Sequence, residues 1–236
     1  KNALRPLYDT PLMLNGGQVQ GWAVETEEAL SQVAQAIQNL QEKLPRGGIL
    51  LAVGDGNHSL ATAKAHWEEV KQTLPEEKRQ DHPARFAMVE LMNIYDEALI
   101  FEPIHRVLFG VTGEEALAML WDAQCVPAAE NPDLTIVTPE KDIPLRIGHP
   151  LHALPVGTVQ QLLDRNKDLQ LDYVHGEDAV RQIVQHERAV GILLPAMDKA
   201  LLFPAVEKDG LLPRKTFSMG EANEKRYYLE TRRITE

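Results

Sequence analysis

Ile49-Leu50-Leu51-Ala52-Val53-Gly54-Asp55-Gly56-Asn57-His58-Ser59-Leu60-Ala61-Thr62-Ala63-Lys64 is the stretch on which the reading of this chain turns. Its first five residues are apolar and predict a short buried strand. Gly54 and Gly56 bracket Asp55, and glycine lets a backbone turn sharply or approach a ligand closely. Asn57 or Ser59 supplies a helix cap, and Leu60, Ala61, Ala63 and Trp67 give the following helix one packed face. Strand, polar turn and helix start would aim backbone N–H groups and the positive end of a helix dipole at one spot, which suits a phosphate or carboxylate. A capped helix after an Asp-Gly turn needs no ligand, so pattern alone leaves a scaffold reading open. The density of polar groups argues for a site: Asp55, Asn57, His58, Ser59, Thr62 and Lys64 crowd into one turn and the first helical turns.

Outward from this stretch, composition bounds the answer. The 236 residues, 44% hydrophobic and 25% charged, are enough for a real core in one large domain or two small ones. A net charge of −11 argues against nucleic acid as the main partner, because phosphate backbones select for clustered Lys and Arg. The single cysteine, Cys125, rules out an internal disulfide and a four-cysteine zinc site, and reads as a small buried hydrophobe. No haem, flavin or structural zinc is expected. No apolar run approaches the roughly 20 residues needed to cross a bilayer and no secretory pattern opens the chain, so a cytoplasmic location is expected. Lys1 stands where a methionine would begin a full chain, and a fragment of a longer protein is expected.

Upstream, Asn15-Gly16-Gly17 predicts a hairpin turn between extended segments, and Leu30, Val33, Ala34, Ile37, Leu40 and Leu44 predict a one-sided helix over 26–44. Pro45 and Gly47-Gly48 end that helix. Downstream, Pro75 to Pro83 reads as a charged surface loop, and Phe86 to Ile94 and Leu99 to Phe101 as strands. From Thr112 onward the pattern becomes repeated strand and helix: helices over 113–124, 156–164, 177–186 and 198–208, strands over 134–137, 144–147, 169–174, 189–194 and 226–234. His149 and His152 lie in a proline-flanked loop and read as solvated, with no carboxylate or thiol at ligand spacing. The fold class is α/β or α+β, a mixed sheet around the Ile49 strand with flanking helices, in two lobes over 1–111 and 112–236.

Two further phrases carry charge. Glu102-Pro103-Ile104-His105-Arg106 puts a His-Arg pair at a strand end, where loops carry function; the bland alternative is an Arg reaching a surface carboxylate with His105 partly buried. Pro213-Arg214-Lys215-Thr216-Phe217-Ser218 offers cations and hydroxyls within a short span that can bind an anion, or it is a plain basic loop.

Gly54-Asp55-Gly56-Asn57-His58-Ser59-Leu60-Ala61-Thr62-Ala63 resembles the Ala-Asp-Gly-His-His-Arg-Tyr-Glu-Thr-Ala signature of domain of unknown function family 1015. Pro103-Ile104-His105-Arg106 resembles that family's Pro-Thr-His-Arg phrase, and Pro213-Arg214-Lys215-Thr216 its late Pro-Lys-Ser-Thr segment. Three ordered matches over most of the chain make the resemblance specific. The signature is itself similar to the phosphate-binding segment of ParB/sulfiredoxin-like proteins, a group that includes free-serine kinases. The resemblance implies phosphoryl chemistry on serine or a similar small hydroxyl compound. Asn57 and Ser59 stand where the signature has His and Arg; without that Arg, the charge must come from Arg106, Arg214 or Lys215.

On this reading Gly54, Gly56 and Asn57 cradle phosphate oxygens, with His58, Ser59, Thr62, Arg214 and Thr216 as further donors. Arg106 and Lys215 neutralise charge on the transferred group. Asp55 is a Mg²⁺ ligand or the general base toward the substrate hydroxyl, with Mg²⁺ arriving with nucleotide. Two other classes remain. A metal-dependent hydrolase would use Asp55, His58 and His105 as ligands. A non-catalytic anion sensor would keep the pocket after losing the signature Arg.

Overall fold

The computed structural model describes residues 4–54, 59–220 and 228–235. The chain divides into two compact units, Lys1–Asn93 with Asn223–Glu236, and Ile94–Ala222.

In the first unit, β1 (Arg5–Pro11) and β2 (Gln18–Ala23) form an antiparallel hairpin, Arg5 opposite Ala23 and Pro11 opposite Gln18. Leu14, Asn15 and Gly17 take positive φ in the turn, so the expected Asn-Gly-Gly signal sits where the chain reverses. The helix α1 (Glu27–Glu42) starts at Thr26, whose hydroxyl accepts from the Ala29 N–H at 3.2 Å. Its apolar stripe is present but not covered: Leu30, Val33 and Leu40 stay about half exposed. The helix α2 (Ser59–Thr73) follows, and the expected loop after it holds a short α3 (Glu76–Arg79).

The Ile49 run is not a strand. Residues 49–54 are irregular, and Leu51 and Val53 are 58% and 69% exposed. An apolar run becomes a strand only where another strand's edge receives it, and the large sheet is made wholly of second-unit residues. For the same reason the expected strand Phe86–Ile94 is irregular, with Met88, Val89 and Leu91 more than half exposed. Residues 228–235 likewise form no strand.

The second unit is a seven-stranded sheet flanked by helices. Its strands are β3 (Phe101–Phe109), β4 (Val126–Pro127), β5 (Leu134–Val137), β6 (Asp142–Arg146), β7 (Gln170–His175), β8 (Ala189–Leu193) and β9 (Phe217–Met219), in the order β4-β6-β5-β8-β3-β7, with β9 also pairing β3. Every ladder is antiparallel, so the sheet is not mixed. The helices are α4 (Gly113–Met119), α5 (Pro155–Leu163), α6 (Glu177–His186) and α7 (Leu202–Asp209). Thr112 caps α4 with a capping box closed by Glu115.

Strand alternation sorts the core into two layers. Leu108, Leu134, Ile136, Val190 and Ile192 pack with α4, α5 and α7 through Ala116, Val159, Leu162 and Ala205. Val107, Val137 and Ala189 pack with α6 through Val180 and Val184. Each buried Val, Leu or Ile side chain contributes about 1.5–3 kcal/mol. Cys125 packs, half-buried, against the first layer. His152 is not solvated: its Nδ1 lies 3.0 Å from Asp209 Oδ2, and its ring covers Gly157 so closely that a Cβ there would come within 2.2 Å.

Candidate functional site

The chemistry-bearing residues of the second unit gather on β3 and around the loop before β9. Arg106 does not leave a strand end; it lies inside β3, opposite Tyr173 on β7 and Ile192 on β8. It is fully buried. Its Nε and Nη2 donate to Gln160 Oε1 on α5, both at 3.2 Å, its Nη2 also to the Arg214 carbonyl at 3.2 Å, and its Nη1 to the Ile104 carbonyl. A buried guanidinium is tolerated only when its donors are satisfied, and here neutral oxygens do this. Burial pushes the group down to about 10, with Arg214 acting the same way while Tyr173 and Asp164 oppose it. At neutral pH it stays charged.

Tyr173 shares that face. The Arg106 and Arg214 guanidinium carbons lie 5.1 and 5.9 Å from its ring centroid, within cation–π range. Its hydroxyl is buried and, among the described residues, has no hydrogen-bond partner. Tyr173 lines a cavity of about 300 Å³ together with Asp164, Asn166, Lys167, Leu171 and Arg214. Arg214 is exposed and ion-paired to Asp164, which also accepts from Gln160 Nε2 at 2.8 Å.

The loop 213–216 is built by local constraints. Lys215 takes φ +54 and is exposed; Thr216 is buried, its hydroxyl donating to the Pro213 carbonyl at 2.5 Å. The threonine therefore closes the turn rather than facing a ligand. His105, next to Arg106 but on the opposite face of β3, is 5% exposed and accepts from the Leu194 N–H through Nδ1 at 3.2 Å. Burial holds its imidazole below the ordinary range; Glu177 opposes this, and Arg106 and His175 add to it. The sequence reading of Arg106, His105 and Arg214 missed Tyr173, Asp164, Lys167 and Gln160. The spacing of Gln160 and Asp164 at i,i+4 was a usable signal; the Tyr173 contacts join distant parts of the chain and left none.

Residues 1–233 match the family described as "Protein of unknown function (DUF1015)". The chain belongs to that family. No curated protein matches it. Among solved structures, it is similar to a conserved hypothetical protein from Pyrococcus furiosus at 12% identity and TM-score 0.44, covering 56% of this chain and 61% of that one. It thus spans less than two thirds of that protein's length. It is also similar to a free serine kinase in complex with AMP at 12% identity and TM-score 0.45, over 72% of this chain and 81% of the kinase. A variant of a free serine kinase in complex with ADP gives 14% and 0.45, over 68% and 80%.

Of the signature-like turn in this DUF1015 chain, Asp55, Gly56, Asn57 and His58 lie outside the described residues. Gly54 is irregular, with open space where a Cβ would stand, and Ser59 and Thr62 lie exposed on α2. Among the described residues no cluster of three His, Cys, Asp or Glu could hold a metal ion, and no helix is long and apolar enough to cross a membrane.

Proposed function

We propose that this chain binds a phosphate-bearing small molecule, in the first place a nucleotide, and supports phosphoryl transfer to a small hydroxyl compound such as serine. The observation that carries the anion reading is the Tyr173 hydroxyl, buried without a partner among the described residues, on the wall of a cavity lined by the cations Arg214 and Lys167, with Asp164 paired to Arg214. An unsatisfied buried hydroxyl costs about 1–3 kcal/mol, and an oxygen acceptor removes that cost. Beside two cations, an anionic acceptor gains most. Arg214 is free to swing between Asp164 and a ligand because its side chain is exposed. Lys215, one residue on, adds charge at the loop surface. Arg106 acts indirectly here, holding the Arg214 carbonyl and lying against Tyr173.

In the transfer step the substrate hydroxyl oxygen forms a bond to the phosphorus as the bond from phosphorus to the nucleotide oxygen breaks. The hydroxyl proton passes to a carboxylate base, with Mg²⁺ accompanying the nucleotide. The resemblance of Gly54–Ala63 to the family signature supports the phosphoryl-transfer reading.

Calorimetric titration with ATP, ADP and AMP, with and without Mg²⁺, tests the binding, and phosphorus NMR with L-serine tests the transfer. Binding that weakens at least tenfold in Arg214→Ala is expected. No binding at millimolar nucleotide would sink the proposal. One observation favours a second reading, a non-catalytic anion sensor: Arg106 spends four hydrogen bonds on the protein itself. Nucleotide binding with no phosphorylated product would select it.

A further inference from the structure

The buried guanidinium of Arg106 decides which way the Gln160 amide points. Arg106 has only donors, and its Nε and Nη2 both meet Gln160 Oε1 at 3.2 Å. The amide nitrogen therefore faces the other way, where Nε2 donates to Asp164 Oδ1 at 2.8 Å. A carboxylate has only acceptors, so this one orientation serves both neighbours. Asp164 stands where α5 ends, and its own N–H is bonded to the Gln160 carbonyl at 2.9 Å. Main chain and side chain of Asp164 are thus both tied to Gln160.

The carboxylate held in this way is ion-paired to Arg214. Both side chains are open to solvent, and an exposed pair is ordinarily weak because two long side chains must be ordered to make it. Here part of that ordering is already in place. Gln160 pegs Asp164, and Arg106 Nη2 donates to the Arg214 carbonyl at 3.2 Å, which holds the Arg214 main chain. One buried arginine therefore sets both partners. Lys167, on the same cavity wall, is exposed and has no ion pair among the described residues. Of the two cations lining the cavity, Arg214 is the one already occupied.

Arg214 can serve an incoming anion only by giving up Asp164. The resident carboxylate competes at the high effective concentration of a group on the same chain. Once displaced, it stays nearby as a like charge, because Gln160 keeps it in place. We propose that Asp164 is a built-in competitor for the Arg214 anion site. Ligand entry is an exchange in which the Arg214 guanidinium turns from Asp164 to the ligand, and Asp164 sets how tightly a phosphate-bearing molecule is held. The inference rests on the anion reading of this cavity and not on the transfer of a phosphoryl group.

Asp164→Asn is the variant that tests it, since its Oδ1 can still accept from Gln160 Nε2 and only the charge is lost. Inorganic phosphate and ATP are titrated calorimetrically into the full chain at constant ionic strength. Asp164→Asn should bind both at least about threefold tighter than wild type. Removing a negative charge anywhere near an anion site raises affinity, so the deciding measurement is the double-mutant cycle with Arg214. In the Arg214→Ala background the gain from Asp164→Asn should largely vanish for ATP, because Asp164 then has no cation to occupy. A gain of equal size with and without Arg214 would overturn the inference. ATP binding that Asp164→Asn leaves unchanged or weakens would also overturn it, and the anion reading would still stand. No binding of either probe by wild type or by Asp164→Asn would sink the anion reading itself, and this inference with it.

Discussion

His105 and Arg106 are neighbours in β3 that the strand turns to opposite faces, and they differ in how far their polar atoms are met: the His105 ring accepts one hydrogen bond, from the Leu194 N–H. Arg106 donates to Gln160, to Ile104 and to the Arg214 carbonyl, so it ties β3, α5 and the loop before β9 together. Removing it leaves those oxygens without their donor. Arg106→Met is therefore expected to destabilise the second unit by about 3 kcal/mol, read by urea unfolding. Arg106→Lys is expected to recover little, because an ammonium cannot reproduce the planar fork. His105 predicts a pH dependence whose sign follows from its lowered pKa. Above about 6.5 the ring is neutral folded and unfolded, and contributes no slope. As pH falls below that, the unfolded chain takes up the proton first, so stability drops until the lower folded pKa is reached and then levels off. The difference between wild type and His105→Gln, followed from pH 7.5 to 4.5, isolates this part; a flat difference would contradict it.

At the scale of elements, the strands and helices of the second unit were legible because their apolar residues alternate or recur against a partner that exists. Ala189–Leu193 shows why: Val190 and Ile192 face one layer, Ala189 and Gly191 the other. The Ile49 run is as apolar, yet residues 49–54 take no strand conformation, and periodicity cannot report that. The three-residue β9 was hidden for the converse reason, since only its pairing with Phe101–Pro103 makes Phe217–Met219 a strand. The candidate site was legible where charge stood out, at Arg106 and Arg214, and silent at Tyr173, whose meaning comes from an orphaned hydroxyl. Gly191 yields the element-scale prediction. A Cβ there would lie 2.4 Å from Val180 Cγ1 and 3.3 Å from Val137 Cβ, so the glycine lets α6 lie close against the sheet. Gly191→Ala is expected to push α6 outward and cost about 1–3 kcal/mol in a thermal melt. Val180→Ala in the same chain should restore part of that loss, as the clash is with that side chain.

For the molecule as a whole, the sequence reading put a lobe boundary at 111/112, while the compact units run Lys1–Asn93 with Asn223–Glu236, and Ile94–Ala222. The strand β3 goes with the second unit because all its ladder partners, β7, β8 and β9, are there. Burial is divided unequally between the units. Both hydrophobic layers lie in the second, whereas the buried residues described in the first are Ala84 and His82, beside apolar groups on α1 that stay exposed. Stability follows buried apolar area, so the two units should not unfold together. Trp67, stacked on His82 with ring centroids 5.9 Å apart, reports on the first unit, and the strand signal of the seven-stranded sheet reports on the second. In a urea titration the tryptophan emission is expected to change at a lower midpoint than the far-ultraviolet strand signal, with Trp121→Phe used to remove the exposed tryptophan of the second unit. Coincident midpoints would mean that the two units fold as one cooperative body, and the unequal burial would then have no thermodynamic consequence.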